Sequence, residues 1–237
     1  MQNTELAGWP EEYFLEENMS SWKKQWDTST FQEYLGRVLQ EGATENEVFG
    51  AKIMMGSGYF EYFTGKLRTL PDCKEKDTSS SEMMDSVFPN LHYIWVTRRN
   101  KVLQAISWWR AIQSGRWFWR GEELPATDKK QGFNFESIDY LVQELVMREA
   151  SWQEFFVEGR INPYVVMYED FVSTYEEVAL DILEYLDIPF AHEIMFKERS
   201  LRKQADEQSE EWMRQYRDMK QGQWVSKPWE FMADRPK

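Results

Sequence analysis

The sequence has few of the residues that commonly cross-link chains or bind metals. It holds one cysteine, Cys73, and two histidines in 237 residues. A single cysteine excludes an intramolecular disulfide and is typical of proteins from a reducing compartment. Cys73 falls in the polar run 72–81, which predicts a surface loop. His92 lies within an apolar run and His192 lies close to Pro189, so we expect both histidines to be structural.

Long apolar runs are absent as well. No stretch approaches the length of a membrane span, and residues 1–9, MQNTELAGW, lack the features of a signal peptide. We therefore expect a soluble, cytoplasmic protein. The net charge of −13 opposes binding to a phosphate backbone, so nucleic acid is not an expected partner. The length suits one sizeable core, which predicts a single domain over residues 1–237.

Acidic side chains are missing from residues 86–121, although the protein as a whole is strongly acidic. The same segment carries the cations Arg98, Arg99, Lys101, Arg110, Arg116 and Arg120. A local positive region in an acidic protein indicates a specific small anion as ligand. An ordinary solvated helix face is the alternative interpretation of these cations.

The order of elements within this segment also favours an anion site. Residues 93–97, YIWVT, predict a buried strand, and Arg98 and Arg99 follow it directly. Asn100 is a good helix N-cap, and apolar residues at helical spacing extend to about Gly115. Ligands of α/β proteins bind outside the carboxyl ends of strands, and helix N-termini attract negative charge. We therefore predict an anion site at this turn.

The rest of the chain alternates between strand and helix patterns. Further strands are predicted at 48–55 and at 163–168, the latter ending at Glu169 and Asp170. Helices are predicted at 31–41, 59–70, 82–88, 135–158, 173–186 and 207–220. A Ser or Thr cap with Glu176 and Glu177 gives the helix at 173–186 a start close to a capping box. This alternation predicts the α/β class, with a mostly parallel sheet flanked by helices.

The segment 98–107, RRNKVLQAIS, resembles the 3′-phosphate signature of sulfotransferases that use 3′-phosphoadenosine 5′-phosphosulfate (PAPS). With the following WWRA, it is similar to the bacterial trehalose 2-sulfotransferase and lipopolysaccharide-sulfotransferase-like family. Supporting matches are GWPEEYF at 8–14, FGAKIM at 49–54, YEDF at 168–171 and LRKQADEQSEEW at 201–212. The resemblance covers roughly residues 6–217. It implies a P-loop-type three-layer fold and transfer of a sulfuryl group to a hydroxyl of a carbohydrate or glycolipid, without a metal.

The resemblance also implies which residues bind the nucleotide. Arg98 and Ser107 would hold the 3′-phosphate. The resemblance favours Arg98 over Arg99, which would then face solvent, although a one-residue difference in the turn would exchange them. Arg202 and Lys203 match a late loop that closes over the nucleotide. Lys203 replaces the family's usual arginine, which keeps the charge but loses the forked donor.

For the acceptor side, the resemblance assigns the catalytic base to Glu12. A carboxylate suits this role if partial burial raises its pKa, and a solvated acid at a helix start is the alternative. Lys52 lies in an apolar run, so it either faces an anion or extends to the surface. Trp9, Trp108 and Lys52 are candidate contacts to the substrate. Trp108 is also able to stack on adenine or to pack in the core.

One part of the family pattern is missing. Family members begin with a strand and a loop of the form S-x-R-S-G-S-T that wraps the 5′-phosphosulfate, and residues 3–8 match only the end of the helix that follows. We therefore expect a fold without its first strand, whose exposed sheet edge would favour a homodimer. A misplaced start codon, a degenerate gene or a partner chain that supplies the strand would each explain the difference.

Two rival functions stay open, and the missing loop supports the first of them. The first is a truncated, non-catalytic protein that serves as a nucleotide-binding or interaction module. The second is a kinase on a related fold, and the absence of G-x-x-x-x-G-K-[ST] counts against it.

Overall fold

The computed structural model describes residues 4–73, 78–115, 117, 132–189, 196 and 207–223. Within these ranges the elements in chain order are α1 (Glu16–Gln25), α2 (Phe31–Glu41), α3 (Tyr59–Leu67), α4 (Ser80–Val87), β1 (Ile94–Thr97), α5 (Lys101–Ser114), α6 (Phe135–Glu158), β2 (Tyr164–Met167), α7 (Tyr168–Ser173), α8 (Tyr175–Tyr185) and α9 (Glu207–Gln223). No helix in these ranges is both long and apolar enough to cross a bilayer.

Strands β1 and β2 form a small parallel sheet, as the sequence predicts. Ile94 lies opposite Tyr164, and Thr97 lies opposite Met167. The protein is therefore of mixed α/β type, with helices flanking a parallel sheet. Because the register is parallel, both strands end at the same edge, and the residues that follow Thr97 and Met167 leave the sheet side by side.

Side-chain caps account for the starts of several helices. The capping box of α2 joins Thr30 and Glu33, and that of α4 joins Ser79 and Glu82. At α5 the Asn100 side chain accepts a hydrogen bond from the Leu103 N–H at 3.0 Å, which confirms the predicted N-cap. Helix α6 has the predicted bounds, 135–158.

Three predictions about local structure are wrong. Residues 48–55 form only isolated bridges, from Phe49 to Ala43 and from Ala51 to Glu11, because the backbone at Gly50 packs closely against another segment instead of pairing along a ladder. Helix α8 has no side-chain cap, and the Thr174 hydroxyl donates to the Asp170 carbonyl instead. Cys73 is buried against the core instead of lying in a surface loop.

Helix α1 has no counterpart among the sequence predictions. Met19 is its only buried residue, but Trp22 and, just after the helix, Trp26 continue from Met19 at helical spacing and pack against the same core, so the sequence held a short apolar stripe that the predictions missed. Helix α3 ends at Leu67, three residues before the predicted end.

The chain packs as two compact units. Unit 1 consists of Met1–Arg99 and Val146–Arg199, and unit 2 consists of Asn100–Leu145 and Ser200–Lys237. Helix α6 contributes residues to both.

Aromatic side chains make up much of the core of unit 1. Tyr34, Phe63 and Leu67 are fully enclosed, and Phe155 and Phe156 of α6 pack against the same cluster. Rings in this cluster meet in tilted, stacked and edge-to-face pairs, as aromatic side chains prefer.

The core of unit 2 lies among helices α5, α6 and α9. Its fully buried members are Ala105, Ile106 and Ile138, and Trp212 and Tyr216 of α9 pack on them. The Asp139 carboxylate accepts hydrogen bonds from the Tyr216 hydroxyl at 2.6 Å and from Lys220 Nζ at 2.7 Å, which ties α9 to α6. Burial acts to raise the pKa of Asp139, but these donors outweigh it and lower that pKa.

Candidate functional site

The end of the parallel sheet brings two of the sequence motifs together. We call residues 97–99 and 168–170 the arginine turn. Arg98 follows β1 and Tyr168 follows β2, and the Arg98 Cζ lies 3.5 Å from the centroid of the Tyr168 ring. Such a contact combines cation–π attraction with flat stacking. Stacking uses the face of the guanidinium, whereas bidentate binding of an oxyanion uses its N–H edge, so the two contacts are compatible.

Arg99 has different partners from its neighbour. Its Nη1 and Nη2 donate to the two oxygens of Asp170 at 2.7 and 2.5 Å, and its backbone N–H donates to Glu169 Oε2 at 3.1 Å. The hydrogen bonds from Arg99 hold the pKa of Asp170 below its ordinary value. The Arg99 and Asp170 side chains are 56% and 57% exposed. Arg99 is therefore exposed to solvent, as expected, and it is also ion-paired with Asp170 at the surface.

Helix α6 supports this edge of the sheet through two consecutive residues. The Thr97 hydroxyl, which is buried at the end of β1, donates to Glu149. Arg148 donates to Ser57 Oγ at 2.8 Å, and a Cβ added at Gly56 would lie 2.7 Å from Arg148 Nε. Helix α6 thus holds Thr97, the residue before Arg98, through Glu149. Through Arg148 it also holds the turn at Gly56 and Ser57 that precedes α3.

The two other motifs in unit 1 also meet. We call residues 7–12 and 49–52 the glycine junction. Gly8 has a φ of +71°, and a Cβ added there would lie 2.3 Å from the Gly50 nitrogen. A Cβ at Gly50 would in turn lie 3.0 Å from the Ala7 carbonyl oxygen. The two segments approach backbone to backbone, which requires glycine at position 8 and leaves a Cβ at position 50 only a tight fit.

The proposed base lies at the end of the glycine junction. Glu12 is half-buried between the exposed Glu11 and the buried Tyr13, and its carbonyl accepts from the Leu15 N–H at 3.4 Å and from Asn18 Nδ2 at 3.1 Å. Helix α1 begins only at Glu16, so Glu12 precedes the helix and is not part of its first turn.

Lys52 is held beside the same segment. Its backbone N–H donates to the Glu11 carbonyl at 2.9 Å, and its Nζ lies 3.6 Å from Glu11 Oε2. The Lys52 side chain is 43% exposed, so it extends to the surface, the second of the two alternatives left by the sequence. Trp9 is half-buried in this junction, and its backbone N–H donates to the Gly42 carbonyl at 2.8 Å.

The remaining candidates lie in unit 2 or outside the described residues. Ser107 and Trp108 are half-buried on α5, next to the fully buried Ile106. Arg202 and Lys203 lie outside the described residues, as does His192.

The start of α9 is anchored in unit 2. Arg110 Nη1 of α5 donates to Ser209 Oγ at 2.7 Å, and Asn100 Nδ2 contacts Met213 Sδ at 3.4 Å. Within the residues that the structure describes, no group of three His, Cys, Asp or Glu side chains has the arrangement of a metal site.

Tyr168 and Asp170 have no role among the sequence predictions. Two signals pointed to them: the match of YEDF at 168–171 to the family pattern and its position at the carboxyl end of a predicted strand. The contacts of these residues join positions about 70 apart in the chain, and only the parallel register of β1 and β2 brings them together.

Comparison with known proteins finds relatives that cover most of this chain. The chain is 26% identical over 228 residues to the trehalose 2-sulfotransferase of Mycolicibacterium smegmatis, covering 92% of this chain and 81% of that protein. It is 27% identical over 193 residues to the trehalose 2-sulfotransferase of Mycobacterium tuberculosis, covering 81% of this chain and 68% of that protein. The family model described as Stf0 sulphotransferase matches residues 1–219. The chain therefore belongs to the Stf0 sulphotransferase family.

Proposed function

We propose that this protein transfers a sulfuryl group from PAPS to a hydroxyl group of a carbohydrate. The observation that carries the proposal is the arginine turn, where a guanidinium rests on an aromatic ring at the carboxyl end of two parallel strands. This is the edge at which α/β proteins bind ligands, and an arginine held in this way suits bidentate recognition of a phosphate. The donor supplies the sulfuryl group and a nucleotide leaving group.

Arg98 is the residue that we assign to the 3′-phosphate of the donor. Its stacking on Tyr168 restricts the guanidinium plane before any ligand binds, which lowers the ordering cost of binding. Ser107, Arg202 and Lys203 are assigned to the same nucleotide by resemblance to the family.

Glu12 is the residue that we assign to the acceptor hydroxyl. Its carboxylate would accept the hydroxyl proton while the acceptor oxygen forms a bond to sulfur and the bond from sulfur to the bridging phosphate oxygen breaks. The electron pair of that bond leaves with adenosine 3′,5′-bisphosphate. The glycine junction supports this role because close backbone contacts hold the segment that carries Glu12. Lys52, Trp9 and Trp108 are proposed contacts to the acceptor.

The names of the two relatives supply the acceptor class. Both are trehalose 2-sulfotransferases, so a small sugar is the first acceptor to test, and a glycolipid is the second. At 26–27% identity the acceptor pocket is free to differ, because sugar specificity depends on loop side chains.

The test is transfer of label from sulfur-labelled PAPS to a panel of sugars that begins with trehalose and includes glycolipids. The proposal expects label in a sugar hydroxyl ester and equimolar release of adenosine 3′,5′-bisphosphate. Binding of the donor without transfer to any acceptor in the panel would contradict it and would favour a non-catalytic nucleotide-binding protein.

A further inference from the structure

The two neighbouring arginines of the arginine turn have different partners. Arg98 stacks on the Tyr168 ring, whereas Arg99 is paired with both oxygens of Asp170. The two partners lie two residues apart in one short segment, at the start of α7. A single segment thus contacts both arginines and holds each in a different way.

The charges of the turn make this difference important. Arg98 and Arg99 carry two positive charges, and Glu169 and Asp170 carry two negative charges, so the formal charges cancel. These four residues therefore give the turn no net charge of their own. Recognition depends instead on presenting a guanidinium edge in the correct orientation.

From these contacts we propose that Tyr168 and Asp170 are positioning residues that give the two arginines separate roles. Tyr168 orients the guanidinium of Arg98 toward the nucleotide phosphate, and Asp170 withholds Arg99 from that phosphate. The inference rests on the proposed function, because it takes the ligand to be a nucleotide with a 3′-phosphate. It makes Tyr168 and Asp170 determinants of selectivity for that phosphate.

Two nucleotides test the proposal by calorimetry on the full chain. Adenosine 3′,5′-bisphosphate carries the 3′-phosphate and adenosine 5′-monophosphate lacks it, so the ratio of their dissociation constants measures recognition of that group. In Tyr168→Leu we expect the ratio to fall about fivefold, because the cation–π contact is lost. Tyr168→Phe keeps the ring and should restore the ratio to within about twofold of wild type. An unchanged ratio in Tyr168→Leu would overturn the role of Tyr168.

Asp170 gives the more discriminating test. Asp170→Asn removes the charge that pairs with Arg99 and so releases Arg99. The double variant Arg98→Ala/Asp170→Asn should therefore bind adenosine 3′,5′-bisphosphate roughly threefold more tightly than the single variant Arg98→Ala. A merely structural role for Asp170 would not produce this rescue. If Asp170→Asn alone weakens binding about as much as Arg98→Ala does, Asp170 orients Arg99 as the phosphate ligand and the inference is wrong.

The exposure of these side chains keeps the experiment interpretable. Arg99 and Asp170 are more than half exposed, so the Asp170 variant should fold, and thermal unfolding checks each protein. A wild-type chain that binds neither nucleotide would contradict the proposed function itself. A wild type that binds both, with no rescue in the double variant, would contradict only the inference about positioning.

Discussion

The glycine junction and the arginine turn each join two motifs that are distant in the sequence, but by different means. At the glycine junction the contact is between backbones, and a Cβ at Gly8 would lie only 2.3 Å from the Gly50 nitrogen. At the arginine turn the contacts are between side chains, and the Arg99–Asp170 pair is more than half exposed. The first region is fixed by steric fit, whereas the second is fixed by charge and stacking. We infer that substitutions at the glycines of the first region change folding and that substitutions at the arginines of the second change binding.

The largest effect is expected for a substitution of Glu12, the proposed base at the end of the glycine junction. Glu12→Gln keeps the size of the side chain but removes the proton acceptor, so kcat should fall by about 10²-fold or more while donor affinity stays unchanged. The measurement is turnover of labelled PAPS with a saturating acceptor. Glu16→Gln, at an exposed position on α1, serves as the control. A kcat for Glu12→Gln within threefold of wild type would exclude Glu12 as the base.

The steric part of the comparison is tested by Gly8→Ala. The added methyl group meets the Gly50 backbone, and alanine is strained at a φ of +71°, so the free energy of unfolding should fall by about 3 kcal/mol. Denaturant unfolding measures the change. Gly36→Ala on α2 is the matched control, since its Cβ would meet nothing within 4 Å and alanine favours a helix, so that variant should be slightly more stable. Equal stability of Gly8→Ala and wild type would show that the junction is not sterically fixed.

The charge pairing at the arginine turn predicts a particular dependence on pH. The pKa of Asp170 is lowered in the folded state by its hydrogen bonds to Arg99. The stabilisation is therefore fully present above the unfolded-state pKa of about 3.9 and is lost as the pH falls through the lower folded-state pKa. An NMR titration should show the pKa of Asp170 rising toward its ordinary value in Arg99→Met. No change in that variant would show that the pair does not persist in solution.

The smallest effect concerns the exposed ion pair of the glycine junction. Lys52→Met removes the charge that lies 3.6 Å from Glu11 Oε2, and exposed pairs contribute little, so the free energy of unfolding should change by less than about 1 kcal/mol. Thermal and denaturant unfolding both measure this. A loss comparable with that of Gly8→Ala would mean that charge, and not steric fit, holds this region together.

Local patterns predicted the elements that depend on local physics. The predicted range 135–158 matches α6 at both ends, and Asn100 marked the start of α5, because periodicity and capping are properties of neighbouring residues. The prediction of a strand at 48–55 is wrong because an apolar run does not specify which strand is available to pair with it.

The site was harder to predict, since its contacts depend on register. The sequence placed Arg98 and Arg99 at the end of a strand but could not show that Tyr168 stacks on one and Asp170 pairs with the other. Those contacts follow from the parallel alignment of β1 with β2, which brings positions about 70 residues apart to one edge. Cys73 was misplaced for a related reason: its neighbours in the chain are polar, but its neighbours in space are apolar.

The central claim is that Arg98 binds the 3′-phosphate of a nucleotide at the arginine turn. The most direct test is a calorimetric titration of the full chain with adenosine 3′,5′-bisphosphate, in wild type, Arg98→Ala and the control Arg37→Ala, which removes an exposed arginine from α2. We predict micromolar binding to wild type and Arg37→Ala, and at least about tenfold weaker binding to a folded Arg98→Ala. Equal affinity in wild type and Arg98→Ala would contradict the account.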